Sequence, residues 1–165
     1  MPEIITTYYA SPIGMLKIAG SFSTINEVLF CRADERVSYE IKELPPVIMQ
    51  CREELTAYFN GARRTFDVPV QQEGTEFQKR VWNELMLIPF GKTVSYLELA
   101  KRLGDVKSIR AAASTNGKNK IAVIIPCHRV IGSNRNLVGY AGGIPNKRWL
   151  LEHEARIAHG VQTLF

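Results

Sequence analysis

The chain opens on a half-buried strand pattern. Ile4-Ile5-Thr6-Thr7-Tyr8-Tyr9 alternates and is rich in β-branched and aromatic residues, Ser11-Pro12-Ile13-Gly14 supplies turn chemistry, and Met15-Leu16-Lys17-Ile18 resumes the pattern, so a hairpin is expected. A third strand is expected from Ile25 to Cys31, followed by a charged stretch. The period then changes to that of a helix. Ile48, Cys51, Leu55, Tyr58 and Phe59 share one face and predict a helix from about Pro46 to Asn60, stopped by Gly61. Phe66-Asp67-Val68-Pro69-Val70 can be only an edge strand or a linker, because its proline lacks a ladder donor. Gln71-Gln72-Glu73-Gly74 is the expected domain boundary.

The second half reads as short helices. Thr75 with Gln78 is a capping box ahead of Phe77, Val81, Trp82 and Leu85, and Pro89 ends that pattern before a Phe90-Gly91-Lys92 turn. Ser95 with Glu98 predicts a second capping box, for a helix through Leu99 and Leu103 that stops at Gly104. Ser108 is expected to cap a further helix, from Ile109 to about Asn116, closed by Gly117. Two short helices joined by a glycine-containing turn describe a helix-turn-helix at about 95–117. Its second helix reads Arg110-Ala111-Ala112-Ala113-Ser114, too poor in Asn, Gln and Arg for base-edge readout in the major groove. Such small side chains suit either tight helix packing or close approach to a minor groove. Ile121 to Ile125 is a continuous apolar run of strand length, and Pro145 starts an amphipathic helix with Trp149, Leu150 and Leu151 on its apolar side.

Charge separates the halves. Residues 1–74 carry 7 Lys and Arg against 10 Asp and Glu, net −3, whereas residues 75–165 carry 14 against 6, net +8. The second half is the one suited to a polyanion. No apolar run approaches the roughly 20 residues of a membrane span, and Met1-Pro2-Glu3 lacks signal-peptide character, so a cytoplasmic address is expected. Cys31, Cys51 and Cys127 form neither a disulfide framework nor a CxxC zinc pattern. Cys31 and Cys51 are read as core, and no metal is expected.

Cys127 differs. The apolar run delivers it to Pro126-Cys127-His128-Arg129-Val130, where adjacent His and Arg predict an exposed, electropositive thiol of lowered pKa. Gly139-Tyr140-Ala141-Gly142-Gly143 follows as a loop whose backbone must approach something closely, unless it is a mobile connector. Glu154 is the carboxylate to pair with His128, on the logic of a base oriented by a third group, unless it is an ordinary surface glutamate.

These segments resemble the O6-alkylguanine-DNA alkyltransferases, also called methylated-DNA-protein-cysteine methyltransferases. The resemblance runs through Thr75-Glu76-Phe77-Gln78, Ile88-Pro89-Phe90-Gly91-Lys92-Thr93-Val94-Ser95-Tyr96, Arg110-Ala111, Asn116-Gly117-Lys118-Asn119, the Pro126-Cys127-His128-Arg129-Val130 signature, the Gly139 loop and Lys147-Arg148-Trp149 to Glu154. It implies an α+β fold, with an N-terminal ribonuclease-H-like α/β domain at 1–72 and a mostly helical DNA-binding and alkyl-transfer domain at 75–165.

The resemblance also implies the chemistry: irreversible, single-turnover transfer of an alkyl group from O6-alkylguanine, and O4-alkylthymine, in double-stranded DNA to Cys127. His128 would act through a water as base, Glu154 would orient it, Tyr96 would hydrogen-bond the guanine, and Asn119 would tie the recognition helix to the cysteine segment. Arg110 would fill the space of a flipped nucleotide, joined at the DNA by Ala111, Ala112, Ser114, Thr115, Lys118 and Arg129. Tyr140, Ala141, Gly142 and Gly143 would line the alkyl pocket. No cofactor is implied, and the protein is expected to act as a monomer with room for cooperative binding along DNA. Lys120 stands where the family usually has proline, and Ala141 where many members have serine. Three other readings compete: a lesion-binding protein without alkyl transfer, a helix-turn-helix regulator with a redox cysteine, and a cysteine hydrolase.

Overall fold

The computed structural model describes residues 3–32, Glu35 and 43–160; the charged stretch expected after the third strand lies largely outside them. The chain forms two compact units. One comprises residues 1–72 with 120–122, and the other residues 73–119 with 123–165. No helix among the described residues is long and apolar enough to cross a membrane.

In the first unit, β1 (Ile5–Ser11), β2 (Gly14–Gly20) and β3 (Ile25–Phe30) form an antiparallel sheet in that order, and α1 (Pro46–Phe59) packs on it. Gly14 makes the first hairpin possible: its φ is 119°, and its carbonyl accepts the Ser11 hydroxyl at 2.6 Å. The two periodicities meet in the core. Leu16 and Ile18 from β2, Ile25 and Val28 from either side of a register shift in β3, and Ile48, Cys51, Leu55 and Tyr58 down one face of α1 are all fully buried. Each such side chain contributes about 1.5–3 kcal/mol by leaving water. Glu54 lies on the same buried face, and the pattern of apolar residues does not foretell it. Its carboxylate accepts the backbone N–H groups of Asp67 (2.8 Å) and Val68 (3.1 Å) and the Gln50 amide (2.7 Å), which anchors the returning segment.

That segment makes a single parallel bridge, Val70 to Ile25, along the outer edge of β3. Farther along the same edge Val28 bridges Ile121, with bonds to the Lys120 carbonyl (2.8 Å) and from the Ala122 N–H (2.9 Å). The Lys120 N–H donates to Gln72 Oε1 at 2.7 Å, a bond that a proline at this position could not make. The strand expected at Ile121 to Ile125 is therefore corrected to one bridge followed by a buried turn, in which Val123 has φ 69°. All five residues are buried, so the run had no polar side to reveal its period.

The second unit contains α2 (Glu76–Met86), β4 (Val94–Ser95), α3 (Tyr96–Arg102), α4 (Ile109–Gly117), β5 (Val130–Ile131) and α5 (Ile144–His159). β4 and β5 pair in parallel, and one-turn 3₁₀ helices cover Val106–Ser108 and Cys127–Arg129. Both arms of the Thr75–Gln78 capping box are present, at 3.1 and 3.0 Å. Ser95 accepts the Glu98 N–H at 3.0 Å, but the Glu98 carboxylate binds Arg102 one turn on, at 3.1 Å, so only half the expected box forms. Ser108 does not cap α4; its hydroxyl donates to the Asp105 carbonyl at 2.6 Å, while the Asp105 side chain accepts the Lys107 N–H at 2.9 Å. Gly117 belongs to the last turn of α4 rather than closing it from outside.

Candidate active site

Cys127 begins the 3₁₀ turn that leads into β5, and its N–H donates to the Ile125 carbonyl at 2.8 Å. Two asparagines near the end of α4 hold the backbone on either side of the thiol. Asn119 Nδ2 donates to the Ile125 carbonyl at 2.9 Å and Asn116 Nδ2 to the Cys127 carbonyl at 3.3 Å. The thiol is only 6% exposed, which corrects the expectation of an exposed cysteine. Its pKa is corrected too. Burial pushes it above the ordinary thiol value, outweighing the hydrogen bond from Asn119 and the charge of Lys147.

His128 and Glu154 are both buried and meet at 2.8 Å, Nε2 to Oε2. An ionised carboxylate only accepts, so Nε2 carries the hydrogen, and Nδ1 is left as the basic atom of a neutral ring. Nδ1 is buried and has no hydrogen-bond partner within the protein. Burial lowers the His128 pKa despite the opposing pull of Glu154, so the ring is neutral at pH 7. Glu154 lies well below the usual carboxylate range: burial acts to raise it, but His128 and Arg129 prevail.

Glu154 is the hub of this cluster. Besides His128 it accepts Arg129 Nε at 2.8 Å, Arg129 Nη2 at 3.0 Å and the Gly91 N–H at 3.2 Å, while Arg129 Nη1 donates to the Ile88 carbonyl at 2.7 Å. The turn at Pro89 to Lys92 is thus fastened to α5 through the residue that fixes His128. Gly91 itself has φ 80°, and a Cβ there would lie 2.5 Å from that of Ala158. Only glycine serves at that position.

Tyr96, the first residue of α3, donates its hydroxyl to the Val138 carbonyl at 3.2 Å, and burial raises its pKa. Tyr140 is half-buried in the loop before α5, with its pKa pushed well up by burial first and by Cys127 and Glu154 after it. Ala141 is exposed and Gly142 and Gly143 are half-buried. The Gly143 N–H bonds back to the Tyr140 carbonyl at 2.9 Å, closing that turn.

The residues expected at DNA divide by helical period. Arg110, Ala111, Ser114 and Lys118 are exposed along one face of α4 and its C-cap. Ala112 and Thr115 are 0% and 4% exposed and face inward, where the Thr115 carbonyl accepts Trp82 Nε1 at 3.3 Å. Arg129 is 6% exposed, with all its guanidinium nitrogens committed to Glu154 and Ile88. The surface role expected of Ala112, Thr115 and Arg129 is corrected accordingly.

Two residues of the cluster escaped the sequence reading. Asn116 sits in a quoted motif but offers no periodic signal. Lys147 is fully buried, and a signal did exist: it lies three and four residues before Leu150 and Leu151, on the apolar stripe of α5, where a lysine is out of place.

Comparison with known proteins covers both halves of the chain. Residues 4–72 match the ribonuclease-like domain, and residues 76–156 the DNA binding domain, of 6-O-methylguanine DNA methyltransferase. A methylated-DNA--protein-cysteine methyltransferase of Methanosarcina acetivorans is 43% identical over 89% of this chain and 97% of its own length. One from Mycobacterium tuberculosis is 42% identical, covering 94% of each chain. The crystal structure of Mycobacterium tuberculosis OGT in complex with DNA superimposes with a TM-score of 0.83 at 41% identity, over 92% of this chain and 93% of that one. The chain belongs to the 6-O-methylguanine DNA methyltransferase family.

Proposed function

We propose that the protein repairs DNA directly, taking the alkyl group from O6 of a modified guanine onto Cys127 once per molecule. The observation that carries this reading is the Cys127-His128-Glu154 arrangement: a buried thiol followed by a neutral histidine whose Nε2 is fixed and whose Nδ1 is free of protein partners. His128 Nδ1 takes the thiol proton through a bridging water, and Glu154 stabilises the imidazolium that results. The sulfur then forms a bond to the alkyl carbon as the carbon–O6 bond breaks, and the electron pair leaves with guanine. Tyr96 exchanges the Val138 carbonyl for the base and neutralises the charge that develops there. Because burial disfavours a resident thiolate, the proton moves only as the substrate arrives. The product is a thioether with no carbonyl for water to attack, so Cys127 is not regenerated.

The exposed face of α4 lies in the minor groove of double-stranded DNA, where its alanines permit close approach, and Arg110 fills the space of the extruded nucleotide. Tyr140 and Gly142 line the alkyl pocket, with Ala141 at its rim. One chain carries every group named, so a monomer suffices, and a reduced thiol acting on DNA suits the cytoplasm.

The decisive experiment is mass spectrometry after mixing the protein with a duplex carrying one O6-methylguanine. A gain of one methylene on the Cys127 peptide, never more than one per protein, is the expected result; an unmodified Cys127 in a protein that still binds the duplex transfers the assignment to a lesion-binding role. A second result concerns Arg110. Arg110→Ala is expected to slow transfer from duplex DNA about 10–100-fold, the equivalent of the few kcal/mol that unstacking a base costs, while transfer from free O6-benzylguanine stays at the wild-type rate. Equal losses on both substrates would remove Arg110 from nucleotide extrusion.

A further inference from the structure

Lys147 is fully buried on α5, and its ammonium donates to three carbonyls: Val130 on β5 at 2.7 Å, Val138 at 3.0 Å and Gly139 at 3.5 Å. Among the described residues it makes no ion pair. A buried cation balanced by carbonyls alone is costly to desolvate. Two features connect it with the reacting centre: Nζ stands 6.0 Å from the centre of the Tyr96 ring, and its charge acts on Cys127.

We propose that Lys147 is a positioning residue for alkyl transfer, clamping the loop at Val138 and Gly139 to β5 and turning a fixed positive charge toward the Cys127 sulfur. The proposal rests on the transfer reading above. The Val138 carbonyl shows what the clamp accomplishes, for it accepts both the Tyr96 hydroxyl at 3.2 Å and Lys147 at 3.0 Å. When Tyr96 turns to the base, Lys147 keeps that carbonyl satisfied and the loop stays in place. Tyr96 is free to leave while that carbonyl keeps its bond from Lys147. The same charge favours the thiolate over the thiol, where burial opposes it.

The groups that face Lys147 are Cys127 and His128 from the 3₁₀ turn and Tyr96 from α3; β5 and the loop present carbonyls. Burial lowers the Lys147 pKa to about 8, with Cys127 acting to raise it. Loss of its proton above that value removes the charge and one of the three donors of the clamp. The test combines the single-turnover transfer rate at saturating O6-methylguanine duplex, from about pH 6 to 10, with iodoacetamide labelling of Cys127 read by peptide mass spectrometry. Wild type and Lys147→Met are compared. The wild-type transfer rate is expected to fall above about pH 8. The methionine variant, compared at a temperature where it is folded, should transfer at least about 10-fold more slowly, lack the alkaline fall and label Cys127 only at higher pH. Wild-type rate and labelling in that variant would overturn the proposal, as would a slower variant whose labelling curve and alkaline fall are unchanged. Should the variant not fold, the wild-type profile alone decides, and a rate still rising at pH 10 overturns the role of the Lys147 charge and the proposal with it. No transfer by wild type at any pH would instead remove the repair reading and this proposal with it.

Discussion

Replacing Cys127 with alanine is expected to abolish alkyl transfer while leaving recognition of the duplex intact. The fall should be at least about 10⁴-fold, the range in which enzymes lose rate when a nucleophile is removed, because Cys31 and Cys51 both belong to the other unit. Binding persists because the exposed residues of α4, Arg110, Ala111 and Ser114, are untouched. Cys127 is a small buried side chain, so the truncation costs only about 1 kcal/mol of stability. Gel-shift titration with the alkylated duplex, run beside the mass measurement, separates the two effects. A variant that still depletes O6-methylguanine would sink the assignment of the nucleophile, and a variant that no longer binds would show that the thiol itself contributes to recognition. A helix-turn-helix regulator or a cysteine hydrolase predicts neither pattern: the first has no need of alkylated DNA, and the second turns over repeatedly.

The parts of the fold that were legible in sequence are those settled within a few residues. The Thr75–Gln78 box, the helical face of α1 and the hairpin at Gly14 are each specified by neighbours in the chain, and each stands in the structure where the pattern put it. What escaped was settled by burial. Ile121 to Ile125 is apolar throughout, and such a run reads the same whether it extends or turns, as it does at Val123. The Ser95 box failed for a different reason, since Arg102 one turn away competes for the same carboxylate. In the candidate site, Cys127 and His128 were visible as neighbours, and Glu154, paired with the histidine on the logic of an oriented base, meets it across 26 positions. Arg129 and Lys147 were misjudged or overlooked because a cation in a basic sequence is read as exposed. Their burial depends on acceptors no motif announces: the Glu154 carboxylate for one, and three backbone carbonyls for the other.

Glu154→Gln is expected to damage fold and chemistry together. The substitution preserves shape but removes the charge that faces the guanidinium of Arg129, at 2.8 and 3.0 Å, and the imidazole of His128, at 2.8 Å. Breaking a buried pair from one side costs about 3–5 kcal/mol, because the other charge stays buried without compensation. For a chain of this size that is a drop of about 10 °C or more in Tm. The pH dependence follows from the direction of each shift. Glu154 is held below its ordinary value of 4.5, so its contribution is fully present above that pH and is lost as the pH falls toward the folded value. His128 is held below 6.5, so the unfolded chain binds the proton first and stability declines as acid is added from there. The gap in stability between wild type and variant should therefore remain wide at neutral pH and narrow only below about pH 4.5, the ordinary carboxylate value. Transfer should slow about 10²–10⁴-fold, since the amide neither fixes the tautomer as firmly nor stabilises the imidazolium. Thermal melts at several pH values and single-turnover rates at a temperature where the variant is folded measure both effects. A variant that melts within about 2 °C of wild type and transfers at the wild-type rate would mean that Arg129 and His128 are held by other groups, and the buried carboxylate would lose its place as the hub of the site.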